Sequence, residues 1–322
     1  MRRSAAVFAV LVALAAGTAQ GTDLGVNIEF WGDRQPSTEA LLLAGIRWVR
    51  TDLAWSAAET APGRFDFTLW DRMVERYRNA GVRTLLILDY NNGLYEGGFP
   101  PASPEGRAAF AGFAQAAARF FRGRVAWEIW NEPNIPAYWA GAPDAGAYVE
   151  LARQAAEAIR REDPGAWILG PALGGGRFDV EYLQRAFQLG LLDVVDAVSV
   201  HPYGADEPET AVGFYRTVRG MMSRVGRGRI LPIVVSEWGY PVEGHGLEGQ
   251  ADYLTRCLAV NEAAGIPLTI WFNWQEPVLP WNSFGLLDLR GRPKPAYAAL
   301  ARAAAGRNEP RAAKTPAPRP GH

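Results

Sequence analysis

The sequence predicts a single-domain (β/α)₈ TIM barrel of the α/β class. Two observations support this fold. Short β-branched or aromatic runs alternate with longer amphipathic stretches rich in Ala and Arg, and polar residues recur where the apolar runs end. An open doubly wound sheet would show the same alternation, but no glycine-rich dinucleotide loop follows the first apolar run. A barrel also explains the polar residues, because its catalytic groups come from the C-terminal ends of several strands.

Eight apolar runs are the predicted strands, and their ends are about 25 to 45 residues apart, which leaves room for one helix and two short loops. The predicted strands are Leu24–Ile28, Trp48–Asp52, Thr84–Asp89, Val125–Asn131, Trp167–Gly170, Ala197–His201, Ile233–Glu237 and Leu268–Phe272. Between them, apolar residues three and four positions apart, such as Trp70, Val74 and Tyr77, predict helices that cover the barrel.

The two ends of the chain differ from the barrel in composition. Residues 1–20 are predicted to be a Sec-type signal peptide, with a basic start, an apolar run and small residues at the cleavage spacing. The apolar run is shorter than the about 20 residues that span a bilayer, so a retained anchor is the less favoured interpretation. Residues 21–305 form the predicted barrel. Residues 306–322 lack large apolar side chains and are predicted to be a disordered tail.

Composition and charge exclude several classes of function. The chain has 33 basic and 34 acidic residues, so its charge provides no field that would attract nucleic acid or an anionic membrane. The single Cys257 excludes an intramolecular disulfide. With three His and no His-Glu-x-x-His run or Cys cluster, we expect no catalytic metal and no cofactor. Twelve Trp and eleven Tyr are suited to sugar stacking or to a core.

Two glutamates end predicted strands. Glu132 ends strand four within Trp-Asn-Glu-Pro-Asn, and Glu237 ends strand seven within Ser-Glu-Trp-Gly. Strand alternation predicts that Glu132 shares a face with Glu128 and Trp130, opposite Asn131, unless a bulge alters the strand end. The C-terminal ends of barrel strands meet at one mouth, so the two glutamates could face each other across a bound substrate.

Paired carboxyl groups of this kind are what glycosidic bond cleavage requires. One must be protonated to assist the leaving oxygen, and the other ionised to attack or to activate water. Burial beside Trp127 or Trp130 would favour the protonated form, and donors or cations the ionised form. Arg50 and Tyr203 are predicted neighbours of Glu237, although a structural ion pair is the alternative for Arg50.

These motifs resemble a known clan. Asn131-Glu132-Pro133 on strand four and Glu237-Trp238-Gly239 on strand seven resemble the retaining (β/α)₈ glycosidases that include cellulases, β-galactosidases and the β-xylosidase/α-iduronidase family. Together with His201-Pro202-Tyr203 on strand six, the Trp-Asn-Glu-Pro-Asn run is most similar to glycoside hydrolase family 39. The resemblance covers the whole predicted barrel, and it depends on two glutamate motifs that occur on the expected strands in the expected order.

The resemblance implies a role for each matching residue. Glu132 would be the general acid/base and Glu237 the nucleophile of a double displacement, while Asn131 would hydrogen-bond the sugar 2-hydroxyl. Trp271 on strand eight would form the platform under the sugar at the cleavage site. The remaining matches to the clan are Arg50, His201 and Tyr203.

Further substrate-binding candidates are the aromatic and polar residues at or just beyond strand ends, for which packing or loop structure is the alternative. The four predicted substrate contacts among them are Asn27, Asp52, Trp139 and Trp238. The other candidates are Trp31, Trp55, Tyr90, Tyr95, Tyr240, Trp274, Trp281, Asp89, Glu276 and Asn282, with Glu243 and His245 at a mobile edge of the cleft.

We therefore expect a monomeric retaining glycoside hydrolase, exported to the periplasm or the medium, that acts on a poly- or oligosaccharide. A transglycosylase using the same residues and a carbohydrate-binding pseudoenzyme are the alternatives. Retention predicts carboxyl groups about 5 to 5.5 Å apart, whereas inversion needs about 6.5 to 9.5 Å.

Overall fold

The structure of the protein is a computed structural model. It describes residues 22–29, 35–98, 100–175, 179–204, 207–226, 228–277 and 283–308. The predicted signal peptide at residues 1–20 lies outside the described residues, as does the predicted tail from residue 309 onward. The last helix continues to Asn308, three residues past the predicted end of the barrel at Ala305.

Eight parallel strands close into a barrel in which β1 pairs with both β2 and β8. The strands are β1 Asp23–Asn27, β2 Trp48–Ala54, β3 Arg83–Asp89, β4 Ala126–Ile129, β5 Ile168–Leu173, β6 Ala197–Val200, β7 Ile233–Trp238 and β8 Leu268–Trp271. The predicted fold class is confirmed, and every predicted strand is present with ends that differ by at most three residues. A short hairpin, Glu59–Ala61 with Arg64–Phe65, lies outside the barrel.

Helices surround the barrel. They are α1 Thr38–Leu43, α2 Trp55–Ala58, α3 Thr68–Asn79, α4 Pro104–Phe121, α5 Pro136–Trp139, α6 Ala145–Glu162, α7 Val180–Gln188, α8 Ala211–Val225, α9 Gly246–Ala263 and α10 Pro295–Asn308. Helix α4 begins at an N-cap, Ser103, whose hydroxyl accepts the Gly106 N–H, and α6 begins at Asp144, which accepts two backbone N–H groups. Within the described ranges, none of the helices combines the length and apolarity that a bilayer-spanning segment needs.

The inner faces of the strands form an apolar layer at the base of the barrel. Its side chains are Trp48, Leu85, Ala126, Leu169, Ala197, Val234, Leu268 and Ile270. Gly25 makes room for this layer, because a Cβ there would lie 2.9 Å from the Ile270 side chain and 3.0 Å from that of Trp48. The apolar base fixes the strands, so that the inward side chains one and two steps further along each strand converge at its C-terminal end.

Candidate active site

Arg50 on β2 lies at the centre of the site. Its guanidinium is only 2% exposed and donates from Nε to Glu128 at 2.6 Å, from Nη2 to Asn131 at 2.7 Å and from Nη1 to Glu237 at 3.0 Å. A fourth hydrogen bond joins Nη1 to the Asn27 side-chain oxygen at 3.3 Å. Burial lowers the pKa of Arg50, but the carboxylates of Glu128 and Glu237 more than offset this, so the pKa is raised and the cation persists.

Glu237 at the end of β7 is held by three donors. Its Oε1 accepts the Tyr203 hydroxyl at 2.9 Å, and its Oε2 accepts Asn27 Nδ2 at 3.2 Å in addition to Arg50. Burial and the negative charge of Glu237 raise the pKa of Tyr203 well above its usual value, so the phenol keeps its proton and remains a donor. These contacts orient the carboxylate and compensate its charge while leaving it partly exposed to the cleft.

Glu132, after β4, has a different environment. Its Oε1 lies 2.7 Å from Nδ1 of the fully buried His201, whose Nε2 is 3.1 Å from the Ser236 hydroxyl. Gly174 supports the other side of Glu132, because a Cβ on this glycine would lie 2.4 Å from the Glu132 carboxyl carbon. Gly174 begins a run of three glycines in the sequence, and nothing in the run itself signals this contact.

The backbone around Glu132 departs from strand geometry, and the predicted alternation is wrong there. Strand β4 ends at Ile129, and both Trp130 and Glu132 are in the left-handed region, with φ of 67° and 49°. Trp130 therefore turns into the helix-side core, while Asn131 and Glu132 both reach the cleft. Non-glycine residues in this region are strained, and such strain is concentrated at functional sites.

The two glutamates meet in one cleft. One carboxylate oxygen of Glu132, one of Glu237 and one His201 nitrogen all lie within 4.8 Å of one another. Three such side chains could in principle hold a metal ion. However, both His201 nitrogens are in hydrogen bonds and the Arg50 cation is 3.0 Å from Glu237, so these residues are arranged for acid, base and nucleophile chemistry.

Three predicted substrate contacts are wrong, because the structure buries these tryptophans in the helix-side core. Trp139 is 4% exposed and packs on Trp130 with ring centroids 5.2 Å apart. Trp238 and Trp271 are each 1% exposed. Trp238 packs on Tyr253, with centroids 6.0 Å apart, and Trp271 donates its Nε1–H to the Phe284 carbonyl.

Strand geometry explains two of these errors. Val235 and Trp238 of β7 pair with Thr269 and Trp271 of β8. The two residues on β7 are three positions apart and their partners only two, so β7 contains one extra residue. This extra residue brings Glu237 inward and turns Trp238 outward. Trp271 follows the inward Ile270 and so points outward, which leaves Phe272 as the inward aromatic at the end of β8.

Aromatic rings that sequence reasoning missed or left open lie around the two glutamates. Phe272 is half-buried and packs edge-on against Phe284, which in turn contacts Tyr203 with ring centroids 6.2 Å apart. On the opposite side, Tyr90 stacks on Tyr138 with centroids 6.2 Å apart, and Tyr138 is 43% exposed. The Tyr90 hydroxyl also accepts the Asn131 side-chain N–H at 3.0 Å. Tyr138 was not among the sequence candidates.

The remaining candidates divide into three groups. The first group consists of Asp52, which is exposed, and Asn27, which is in the network around Arg50 and Glu237. The side chains of the second group make structural contacts with other protein groups. They are Trp55, Tyr95, Tyr240, Trp274, Glu276, Glu243 and His245. Trp31, Trp281 and Asn282 lie outside the described residues.

A closed eight-stranded parallel barrel with paired glutamates after strands four and seven defines the class of barrel glycosidases. The chain belongs to the cellulase family, glycosyl hydrolase family 5, whose model matches residues 19–277. It is also 25% identical over 202 residues to a β-xylosidase from Caldicellulosiruptor saccharolyticus, a match that covers 54% of this chain. The chain spans only 40% of the length of that curated relative.

Solved structures share the fold. A family 39 glycoside hydrolase from Bacteroides cellulosilyticus WH2 superimposes with a TM-score of 0.77 at 23% identity, covering 89% of this chain and 64% of that one. A family 39 β-xylosidase from Caulobacter crescentus gives 0.71 at 21% identity, covering 90% and 72%. The predicted resemblance to the barrel glycosidase clan, and to family 39 within it, is confirmed.

The Gly174 contact can be tested by adding a single methyl group. We expect Gly174→Ala to lower kcat/KM for a 4-nitrophenyl glycoside about 10- to 100-fold, because displacement of a catalytic group by 1 Å can cost about 10²-fold. Thermal unfolding should change little. Gly112→Ala, where a Cβ meets no atom within 4 Å, is the matched control. Unchanged kinetics in Gly174→Ala would show that the glycine does not hold Glu132 in place.

The buried ion pair of Arg50 and Glu128 makes a second prediction. Arg50→Met should lower the free energy of unfolding by about 3 to 5 kcal/mol, because it leaves the Glu128 charge buried without a partner. The double variant Arg50→Met with Glu128→Leu should recover much of this loss. Urea denaturation measures both. A single-variant loss below about 1 kcal/mol, as for surface pairs, would contradict a structural role for the pair.

Proposed function

We propose that this chain hydrolyses O-glycosidic bonds of a poly- or oligosaccharide with retention of anomeric configuration. The observation that carries the proposal is the approach of one oxygen each from Glu132 and Glu237 to within 4.8 Å in a common cleft. This approach agrees with the about 5 to 5.5 Å between the carboxyl groups of retaining enzymes and is shorter than the about 6.5 to 9.5 Å of inverting enzymes.

In the first step Glu237 acts as the nucleophile. Its carboxylate oxygen attacks the anomeric carbon while the bond to the leaving oxygen breaks and Glu132 gives its proton to that oxygen. The products are a glycosyl ester on Glu237 and a free alcohol. Arg50, Asn27 and Tyr203 hold the carboxylate for attack, since all three of their hydrogen bonds converge on it.

In the second step Glu132 acts as a base. It takes a proton from water, whose oxygen attacks the same carbon, and the ester bond breaks to regenerate the Glu237 carboxylate. Neutral His201 suits both states of Glu132. Its Nδ1 can accept from the protonated acid, with Nε2–H donating to Ser236, and the other tautomer can donate to the carboxylate.

Asn131 is placed to bind the sugar. Its oxygen accepts from Arg50 and one N–H donates to Tyr90, so the amide plane is fixed and the second N–H remains for a sugar hydroxyl. Tyr138 and Phe272 offer aromatic faces on either side, on which a sugar ring can pack. The β-xylosidase relative makes β-xylosides the first substrates to test, and the cellulase family makes β-cellobiosides the second.

We also propose that the protein is exported. The basic and apolar start of the chain is the support for a signal peptide, and polymeric glycans are met outside the cytoplasm. We propose a monomer that acts in the periplasm or the medium. A transglycosylase would use the same residues and differ only in the acceptor of the second step, whereas a binding protein without catalysis would not need the pair of glutamates.

Substitution of each glutamate tests the two roles separately. Glu237→Gln should abolish turnover of 4-nitrophenyl β-D-xylopyranoside or β-D-cellobioside with thermal unfolding nearly unchanged. Glu132→Ala should slow poor leaving groups about 10²- to 10⁴-fold but activated aryl leaving groups far less, because only the former need protonation. Kinetics on a leaving-group series, with Gly112→Ala as control, measure this. Near-normal activity of Glu237→Gln would refute the nucleophile.

The stereochemical course is a further test. The 4.8 Å approach predicts that the first-formed sugar has the anomeric configuration of the substrate. Proton NMR of the anomeric region during the first minutes of hydrolysis, before mutarotation, distinguishes the two outcomes. Initial release of the opposite anomer would contradict double displacement even if both glutamates proved essential.

A further inference from the structure

Two aspartates on neighbouring strands form a pair that the mechanism above does not use. Asp52 on β2 and Asp89, the last residue of β3, both belong to the inner faces of paired strands, and Asp89 is in register with Ala54, two residues beyond Asp52, so the two side chains are diagonal neighbours. Each carboxyl group acts on the other through a side-chain hydrogen bond. They differ in exposure: Asp89 is completely buried, whereas Asp52 is exposed. The pair therefore has one solvent-reachable member and one hidden behind it.

Asp89 lacks a donor. Neither of its carboxyl oxygens receives a hydrogen bond from any group in the part of the chain that the structure describes. The nearby cation is Arg50, and its hydrogen bonds go to Glu128, Asn27, Glu237 and Asn131. An ionised carboxylate only accepts hydrogen bonds, so a buried carboxyl group that has no donor and lies against a second carboxyl group needs a proton between the two.

Burial and the neighbouring carboxylates favour a protonated Asp89. Burial, and then the charge of Asp52, raises the pKa of Asp89 well above its ordinary value. Arg50 on β2 opposes this effect, and Glu128 on β4 adds to it, so β2 and β4, the two strands that flank β3, both contribute charges. Tyr90, the next residue along the chain, has a pKa raised by its own burial and by Asp89, and it remains neutral.

We propose that Asp52 and Asp89 share one proton, and that Asp89 is a positioning residue that holds Asp52 as a carboxylate acceptor for a hydroxyl of the bound sugar. This inference rests on the proposed function. The hydrogen bond from Asp89 engages one oxygen of Asp52 and leaves the other for the substrate. Asp52 is two residues after Arg50 on β2, so strand alternation puts it on the same inward face as the guanidinium that bonds Glu237.

Stability against pH tests the shared proton without any substrate. The unfolded chain releases the Asp89 proton near pH 4, whereas the folded chain keeps it, so the contribution of Asp89 to wild-type stability falls as pH rises above about 4. Asp89→Asn carries no titrating proton and escapes this loss. The midpoint of thermal unfolding of Asp89→Asn, relative to wild type, should therefore rise steadily between pH 4 and pH 8.

In a matched control, the pH dependence of stability relative to wild type has the opposite sign. Hydrogen bonds from Thr68 lower the pKa of the exposed Asp66, whose carboxylate accepts the Thr68 backbone N–H at 2.9 Å. Asp66 therefore contributes stability above its unfolded pKa, and Asp66→Asn should fall relative to wild type as pH rises. A difference between Asp89→Asn and wild type that stays constant from pH 4 to pH 8 would overturn the shared proton.

Kinetics test the positioning role. Asn at position 89 can still donate to Asp52 and Leu cannot, so kcat/KM of Asp89→Asn should exceed that of Asp89→Leu by about tenfold or more on the 4-nitrophenyl glycoside that wild type cleaves. Asp52→Ala should lose at least about tenfold. Equal activity of the two Asp89 variants, or unchanged activity of Asp52→Ala, would overturn this role. Absence of wild-type turnover would instead refute the proposed function, and the unfolding experiment would still decide the shared proton.

Discussion

The site depends on one constraint, which is that each nitrogen of the guanidinium buried inside the barrel must donate to an acceptor. Arg50 meets this requirement with side chains from three other parts of the barrel wall: Asn27 on β1, Glu128 and Asn131 at β4, and Glu237 on β7. A buried cation is tolerated only when it is paired in this way. The same contacts that compensate the charge also fix the positions of the Glu237 carboxylate and of the Asn131 amide.

The two glutamates have unequal surroundings, and this difference supports the roles proposed for them. Glu237 faces a permanent cation and two neutral donors, so its negative charge is compensated in the resting protein. Glu132 faces an imidazole that can donate or accept and a glycine that allows close packing. An attacking group needs a stable anion and a proton-shuttling group needs a partner indifferent to its protonation state, so the environments correspond to the two steps of double displacement.

The barrel and the glutamate pair were predictable because both depend on local pattern. Apolar runs mark strands, and polar residues at their ends mark the mouth, so Arg50, Glu132 and Glu237 could be placed before any coordinates. Two of the errors, at Trp130 and at Trp238, arise where the backbone departs from regular strand geometry. A bulge in β7 exchanges the directions of Glu237 and Trp238, and no residue type signals it. Burial of Trp139 and the contact of Gly174 with Glu132 depend on tertiary packing.

The hydrogen bond between Asn27 and Glu237 joins side chains 210 positions apart in the sequence, across β1 and β7. No contiguous fragment of the chain brings such groups together, since they become neighbours only after β8 has paired with β1 and the ring of strands is complete. Chemical competence should thus arise in a single cooperative event, late in folding. A nascent chain still on the ribosome, or one clipped before its eighth strand, would carry all the motifs and remain inert.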